Sequence, residues 1–204
     1  MSYIDKKSKL ENARDSIVRD VLTRASKVKG CLALTHAYSD GKVLAATDKN
    51  MLVYGPSEYP EGFYDPAFIG SGAARRTIYT PVELSASYPN WRLVVPDVAK
   101  AVKTFQFDGA SEYLAREEFQ LQFELAKNGC LVRLEFLRVV EKPKIRYDVY
   151  VMPGFAPVVF KADDVFTVVI MPFESQEIPG LLREYKESVI AEYERTRSAG
   201  EAQE

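Results

Sequence analysis

The 204-residue sequence predicts an α+β fold made of two helix-plus-antiparallel-strand repeats, with helices packed on one face of the sheets and a further helix at the C-terminus. Three observations predict it. Apolar residues recur at helical steps over 8–29 and again over 110–129. Each of these stretches is followed by short runs rich in β-branched and aromatic residues, bounded by Gly, Asn, Asp and Pro. The order occurs twice, at about 8–96 and 97–173, so residues 1–176 read as one domain and 177–204 as a helical extension.

In the first repeat, Ser8 and Glu11 have the spacing of a capping box. Leu10, Ala13, Ile17, Val21, Ala25 and Val28 then recur at steps of three and four, and Gly30 can end the helix. Ser39-Asp40-Gly41 is a hairpin turn between expected strands at 31–38 and 42–48. Residues 55–76 combine Pro, Gly and aromatic residues and read as a long loop suited to touching a partner. A phosphate-loop reading of Gly70 to Arg76 fails, because the Gly-Lys-Ser/Thr ending is missing. Thr77 to Ser87 returns as a strand. The segment Tyr88-Pro89-Asn90-Trp91-Arg92-Leu93-Val94-Val95-Pro96 carries the only tryptophan and a proline near each end, which predicts a stiff extended connector anchored by a buried indole.

The second repeat starts with a strand at 103–107, and its helix follows. Phe119, Leu121, Phe123 and Leu125 also alternate as a strand would, but composition and the shared side of Leu114, Leu121 and Leu125 favour the helix. Strands are expected at 131–139, 145–152, 156–161 and 166–171. From Glu177 on, Leu182, Tyr185, Val189 and Tyr193 share one face of the last helix, which reads as a terminal brace.

Composition bounds the function classes. Apolar residues make up 47% of the chain and charged residues 27%, the balance of a globular domain with a real core. No apolar run approaches the roughly 20 residues that span a bilayer, and the N-terminus lacks the pattern of a signal peptide. The expected location is the cytoplasm, without a membrane partner. Cys31 and Cys130 lie in apolar surroundings without CxxC spacing, which predicts buried thiols rather than a disulfide or metal site. His36 is the only histidine, a packed or half-exposed strand residue, and no nucleophile, metal cluster or dinucleotide loop accompanies it. No enzyme activity and no cofactor is expected.

The formal net charge of -2 conceals segregation: Lys6 to Lys29 holds eight basic and three acidic residues, whereas Glu177 to Glu204 holds four and seven. Lys9, Arg14, Arg19, Arg24, Lys27 and Lys29 on or beside the first helix are the candidate contacts to DNA phosphate; a solvated helix face is the plainer alternative. The second helix carries Glu112, Glu117, Glu118 and Glu124 against Arg116 and Lys127, a poor surface for phosphate.

Three segments resemble the bacterial DNA sliding clamp, the β processivity subunit of the replicative polymerase. Residues 88–96 are similar to its Phe-Pro-Asp-Tyr-Arg-Arg-Val-Ile-Pro stretch. Residues 45–52, Ala-Ala-Thr-Asp-Lys-Asn-Met-Leu, are similar to its Ala-Thr-Asp-Gly-His-Arg-Leu, with Asn50 as the candidate for a left-handed turn residue. Residues 157–160 and 166–173 resemble its last two strands. The resemblance implies a clamp-like domain whose helices face a pore. It also implies an apolar cleft for a polymerase or clamp-loader peptide, lined here by Thr47, Leu52, Pro89, Leu93, Val94, Val169, Ile170 and Met171. Family clamps have three domains per chain, so encircling double-stranded DNA with this chain implies a homo-oligomer on the order of six copies. The alternatives are a clamp-fold adaptor or inhibitor that never encircles DNA, and a structural or assembly protein using the 55–76 loop.

Overall fold

The computed structural model describes residues 3–69 and 76–174, and within the last thirty residues 179, 180, 182–184, 186, 187, 190 and 191. Its elements run in the order α1 (Tyr3–Ala25), β1 (Ala37–Ser39), β2 (Val43–Thr47), β3 (Met51–Pro56), β4 (Gly62–Ile69) and β5 (Arg76–Val82) in the first half. The second half holds β6 (Lys103–Asp108), α2 (Leu114–Ala126), β7 (Cys130–Leu131), α3 (Leu134–Glu141), β8 (Arg146–Val151), β9 (Val158–Ala162), β10 (Phe166–Ile170) and β11 (Phe173–Glu174). Nine strands form one antiparallel sheet in the order β5-β4-β1-β2-β3-β10-β9-β8-β6, and β7 and β11 form a small pair.

The two halves meet at the β3–β10 pairing, where Leu52 lies opposite Val169 and Met51 opposite Ile170. Helices α1, α2 and α3 lie on one side of the sheet. There Ile17 and Val21 of α1 and Leu121, Leu125, Leu137 and Val140 of α2 and α3 bury against the inward residues of the strands. Strand alternation decides which residues those are: Ala46, Val53, Val168, Phe160 and Val149 form one cross-strand row beneath the helices. Phe160 sits edge-on to Phe107 and Tyr147, with ring centroids 5.6 and 5.9 Å away.

Several expectations need correction. The first helix begins at Tyr3, so Ser8 and Glu11 lie inside it and do not cap it. Residues 32–35 form a 3-10 turn, which leaves His36 just outside a short β1. His36 instead sets its Nδ1 2.6 Å from Asp65 Oδ1. The left-handed residue of the β2–β3 turn is Lys49, at φ 80°, not Asn50; Asp48 accepts the Asn50 and Met51 N–H groups and holds the turn shut.

The 55–76 stretch contains β4, which pairs with β5 from Phe63–Val82 to Ile69–Arg76, so it is largely sheet. Its Phe63 and Tyr64 are buried, and Tyr79 of β5 donates to the buried Asp15 of α1 at 2.9 Å. Gly70 to Arg75 lie outside the described residues. Most of 131–139, expected as strand, belongs to α3: Phe136, Leu137 and Val140 bury at helical spacing while Leu134, Glu135 and Arg138 face out. The Val139-Val140 pair gave that stretch its strand-like look, and packing overrides it. Cys130 is buried and free as expected, but Cys31 is only half-buried. The described residues of the C-terminal segment are helical, with Leu182 half-exposed; Glu177, Tyr185, Val189 and Tyr193 lie outside the described residues.

Candidate functional site

The side of the sheet turned away from the helices carries the other set of alternating residues. Thr47, Leu52, Val169, Val159 and Tyr150 stand directly opposite one another on β2, β3, β10, β9 and β8. Ala45, Leu52, Val159 and Val169 are buried there in a small apolar cluster of their own. Three stretches far apart in sequence therefore meet on one surface, because β2–β3 and β9–β10 are hairpins that pair with each other.

What covers this surface is the connector 83–102. It leaves β5 at one edge of the sheet and enters β6 at the opposite edge. At about 4.8 Å per strand, the nine strands are about 38 Å across, well within reach of twenty residues at about 3.3 Å each. Its slack is taken up in 3-10 turns at Trp91–Val94 and Val98–Lys100. So the 88–96 segment is compact at its centre, not extended throughout. Its backbone hydrogen bonds are local, Trp91 N to Pro89 O, Leu93 N to Asn90 O and Val95 N to Arg92 O, until Val102 N reaches Val151 O of β8.

Side chains do the anchoring. Trp91 is 7% exposed, lies on the Ala45–Leu52–Val159–Val169 cluster and meets the Tyr54 ring at 4.9 Å. Tyr88 stacks on Tyr38 at 5.0 Å with the planes 10° apart. Burial pushes the Tyr88 hydroxyl well above its usual range; it lies near the Thr47 backbone without a well-formed hydrogen bond. The Arg92 guanidinium lies 4.4 Å from the Trp91 ring centre and pairs with Asp40 in the β1–β2 turn. That hydrogen bond holds the Asp40 carboxyl down at about 2, aided by the Lys42 and Val43 N–H groups, against a smaller opposing effect of desolvation.

The structure treats the predicted cleft residues unequally. Thr47, Leu52 and Val169 share the row, and Met171 follows β10 with its N–H bonded to Asn50 O at 2.8 Å. Leu52 and Val169 are buried, while Thr47 and Met171 are half-exposed. Pro89, Leu93 and Val94 ride on the outside of the strap; Leu93 is 82% exposed and Val94 45%. Ile170 is a correction. Alternation turns it to the helix side, where it is fully buried in the main core, so it lines no part of this surface. Sequence reasoning missed Val159 and Tyr150; the two-residue period of β8 and β9, registered against Leu52, was the available signal.

The cations of α1 also divide. Arg14 bonds Asp15 Oδ1 at 3.1 Å and Pro56 O at 3.2 Å. Arg19 donates to Asp15 O and lies over the Phe68 ring at 3.8 Å. Arg24 pairs with Glu135 at 3.0 Å. Lys9, Lys27 and Lys29 are exposed. Between the end of α1 and α3 lies a concavity of about 600 Å³, where Arg24 and Lys27 are joined by Arg133, Arg138 and Lys142, and where Asp20 and Glu135 pair with Lys142, Arg24 and Arg133. Arg133 and Arg138 escaped notice because their stretch read as strand, and Lys142 because it fell between two expected strands. Among the described residues no group of His, Cys, Asp and Glu could hold a metal ion, and no helix is long and apolar enough to cross a membrane.

No protein-family model matches the chain, and no curated protein matches its sequence. Solved structures do match. The DNA polymerase III β subunit from Thermotoga maritima aligns with a TM-score of 0.51 at 9% identity, over 79% of this chain and 63% of that one. The sliding clamp from Bacillus subtilis gives 0.51 at 10% identity, over 81% and 63%. The β sliding clamp from C. crescentus gives 0.51 at 12% identity, over 81% and 64%. The fold is clamp-like, and the chain spans less than two thirds of the length of these clamps.

Proposed function

We propose that the chain is a clamp-like DNA-tethering or processivity factor that grips a short linear peptide of a replication polymerase or clamp loader on its outer face. The observation that carries this reading is the convergence of 45–52, 88–96 and 158–171 on one surface of a clamp-like sheet. The aliphatic floor and the half-exposed Met171 suit a peptide with apolar anchors. The test is fluorescence anisotropy of a labelled peptide from a clamp-binding polymerase, titrated with the full chain. Met171→Asp, at a half-exposed position, is expected to weaken binding by about tenfold or more without moving the thermal midpoint. Equal binding by this variant overturns the reading.

The tethering part of the proposal places α1 and the α1–α3 concavity toward duplex DNA, with Lys9, Lys27 and Lys29 supplying phosphate contacts and several copies needed to encircle it. Binding to duplex DNA is then expected to fall with salt at a log–log slope of about −0.9 per phosphate contact, and the mass in solution to be that of a closed homo-oligomer. A second reading, a non-encircling adaptor or inhibitor, is favoured by the internal contacts of Arg14, Arg19 and Arg24 and by the acidic residues of α2. It predicts a monomer or dimer that binds the peptide and has no affinity for DNA.

A further inference from the structure

The strap 88–96 occupies the surface that the proposed peptide would need. Its hold is unlike that of any strand. No backbone hydrogen bond ties residues 83–101 to the sheet, and the segment is fixed through Tyr88, Trp91, Val95 and the Arg92–Asp40 pair. Pro89, Asn90, Arg92, Leu93 and Val94, around the buried indole, are all exposed. A segment that inserts an aromatic side chain into an apolar floor, follows it with an arginine on a carboxylate, and keeps its backbone hydrogen bonds to itself has the contact pattern of a bound linear peptide.

We infer that the Trp91 strap is a cis-occupant of an exchangeable groove, and that the trans ligand is a short linear peptide carrying an aromatic anchor followed directly by a basic residue. This rests on the peptide-binding reading above and specifies its ligand and its regulation. The floor of Ala45, Leu52, Val159 and Val169 takes the anchor, and Asp40 takes the base. Because the strap is covalently attached, it competes at an effective concentration of the order of millimolar, so the groove is closed to weak ligands and open to strong or multivalent ones. Trp91 leaves the floor when a ligand enters.

The single tryptophan makes this measurable in the unmodified chain. The probe is a labelled synthetic peptide of residues 88–96 in which phenylalanine replaces the tryptophan, so that all indole emission belongs to the protein. Titrating it into the full chain is expected to shift Trp91 emission to the red as the indole enters water. In Trp91→Ala the same peptide is expected to bind about tenfold more tightly, the competitor having been removed. Arg92→Ala, which loosens the strap without emptying the floor, gives a smaller gain and serves if Trp91→Ala does not fold. Binding without an emission shift, unchanged or weaker binding to both variants, or no binding by any form overturns the inference. Those results leave the polymerase-peptide reading standing if Met171→Asp still weakens that binding, so the two fail separately.

Discussion

The two faces of the sheet are closed in different ways. On one, three helices bury a continuous core in which Ile17, Val21, Phe107, Leu137, Val149, Phe160 and Ile170 are all fully enclosed. On the other, a single crossing connector covers a far smaller cluster, with one indole at its centre. The helix side has hydrogen-bonded cover whose own backbone is satisfied; the strap side has cover that contributes side chains only. Stability resides on the first face. The second rests on a smaller buried cluster, so the exchange proposed for it would disturb the fold least.

The sharpest way to break this contrast is to cut each face in turn. Phe160→Ala is expected to cost about 3–5 kcal/mol in denaturant unfolding, since it opens a cavity between Phe107 and Tyr147. A loss below about 1 kcal/mol would mean that the helix side is not the dominant core. Trp91→Ala is expected to cost less, about 2 kcal/mol, because the strap can settle over the gap; a loss matching that of Phe160→Ala would erase the distinction.

Acid sharpens it further. The Asp40 carboxyl is held down at about 2 by Arg92, below the usual unfolded value of about 3.9. A depressed carboxylate contributes stability above its unfolded value and loses it as pH falls through the folded one. The strap should therefore loosen between about pH 4 and 2, seen as a red shift of Trp91 emission, and Asp40→Asn should flatten that step. The smallest effect is expected at the exposed Lys142–Asp20 pair on the helix side, 2.8 Å apart. Lys142→Ala should change stability by less than about 0.5 kcal/mol.

Much of the helix side was legible in the sequence. The three-and-four spacing of Leu10, Ala13, Ile17, Val21, Ala25 and Val28 names the buried stripe of α1; the first five are buried, and Val28, past the helix end at Ala25, is half-exposed. α2 was readable for the same reason, a sustained local period, and β2 and β10 as short apolar runs beside turn residues. What was not legible depends on pairing between distant strands. Whether Val169 or Ile170 faces outward is fixed by register against Leu52 and Met51, and a run of consecutive β-branched residues carries no alternation from which to infer it. β4 was hidden because Pro66, opposite Tyr79, looks like a strand breaker, yet it stands near the sheet margin, where proline is tolerated. Trp91 was recognisable as an anchor; the crossing from edge to edge was not, since only the completed strand order reveals it.

The β3–β10 junction has a consequence for biosynthesis. Its partners are separated by on the order of a hundred residues, and at ribosomal speeds of about 5–20 residues per second β3 waits roughly ten seconds for its neighbour to be made. Throughout that interval the nascent first half presents a bare hydrogen-bonding margin, the kind of template on which chains stick together. The last large strand to leave the ribosome is the one that heals it.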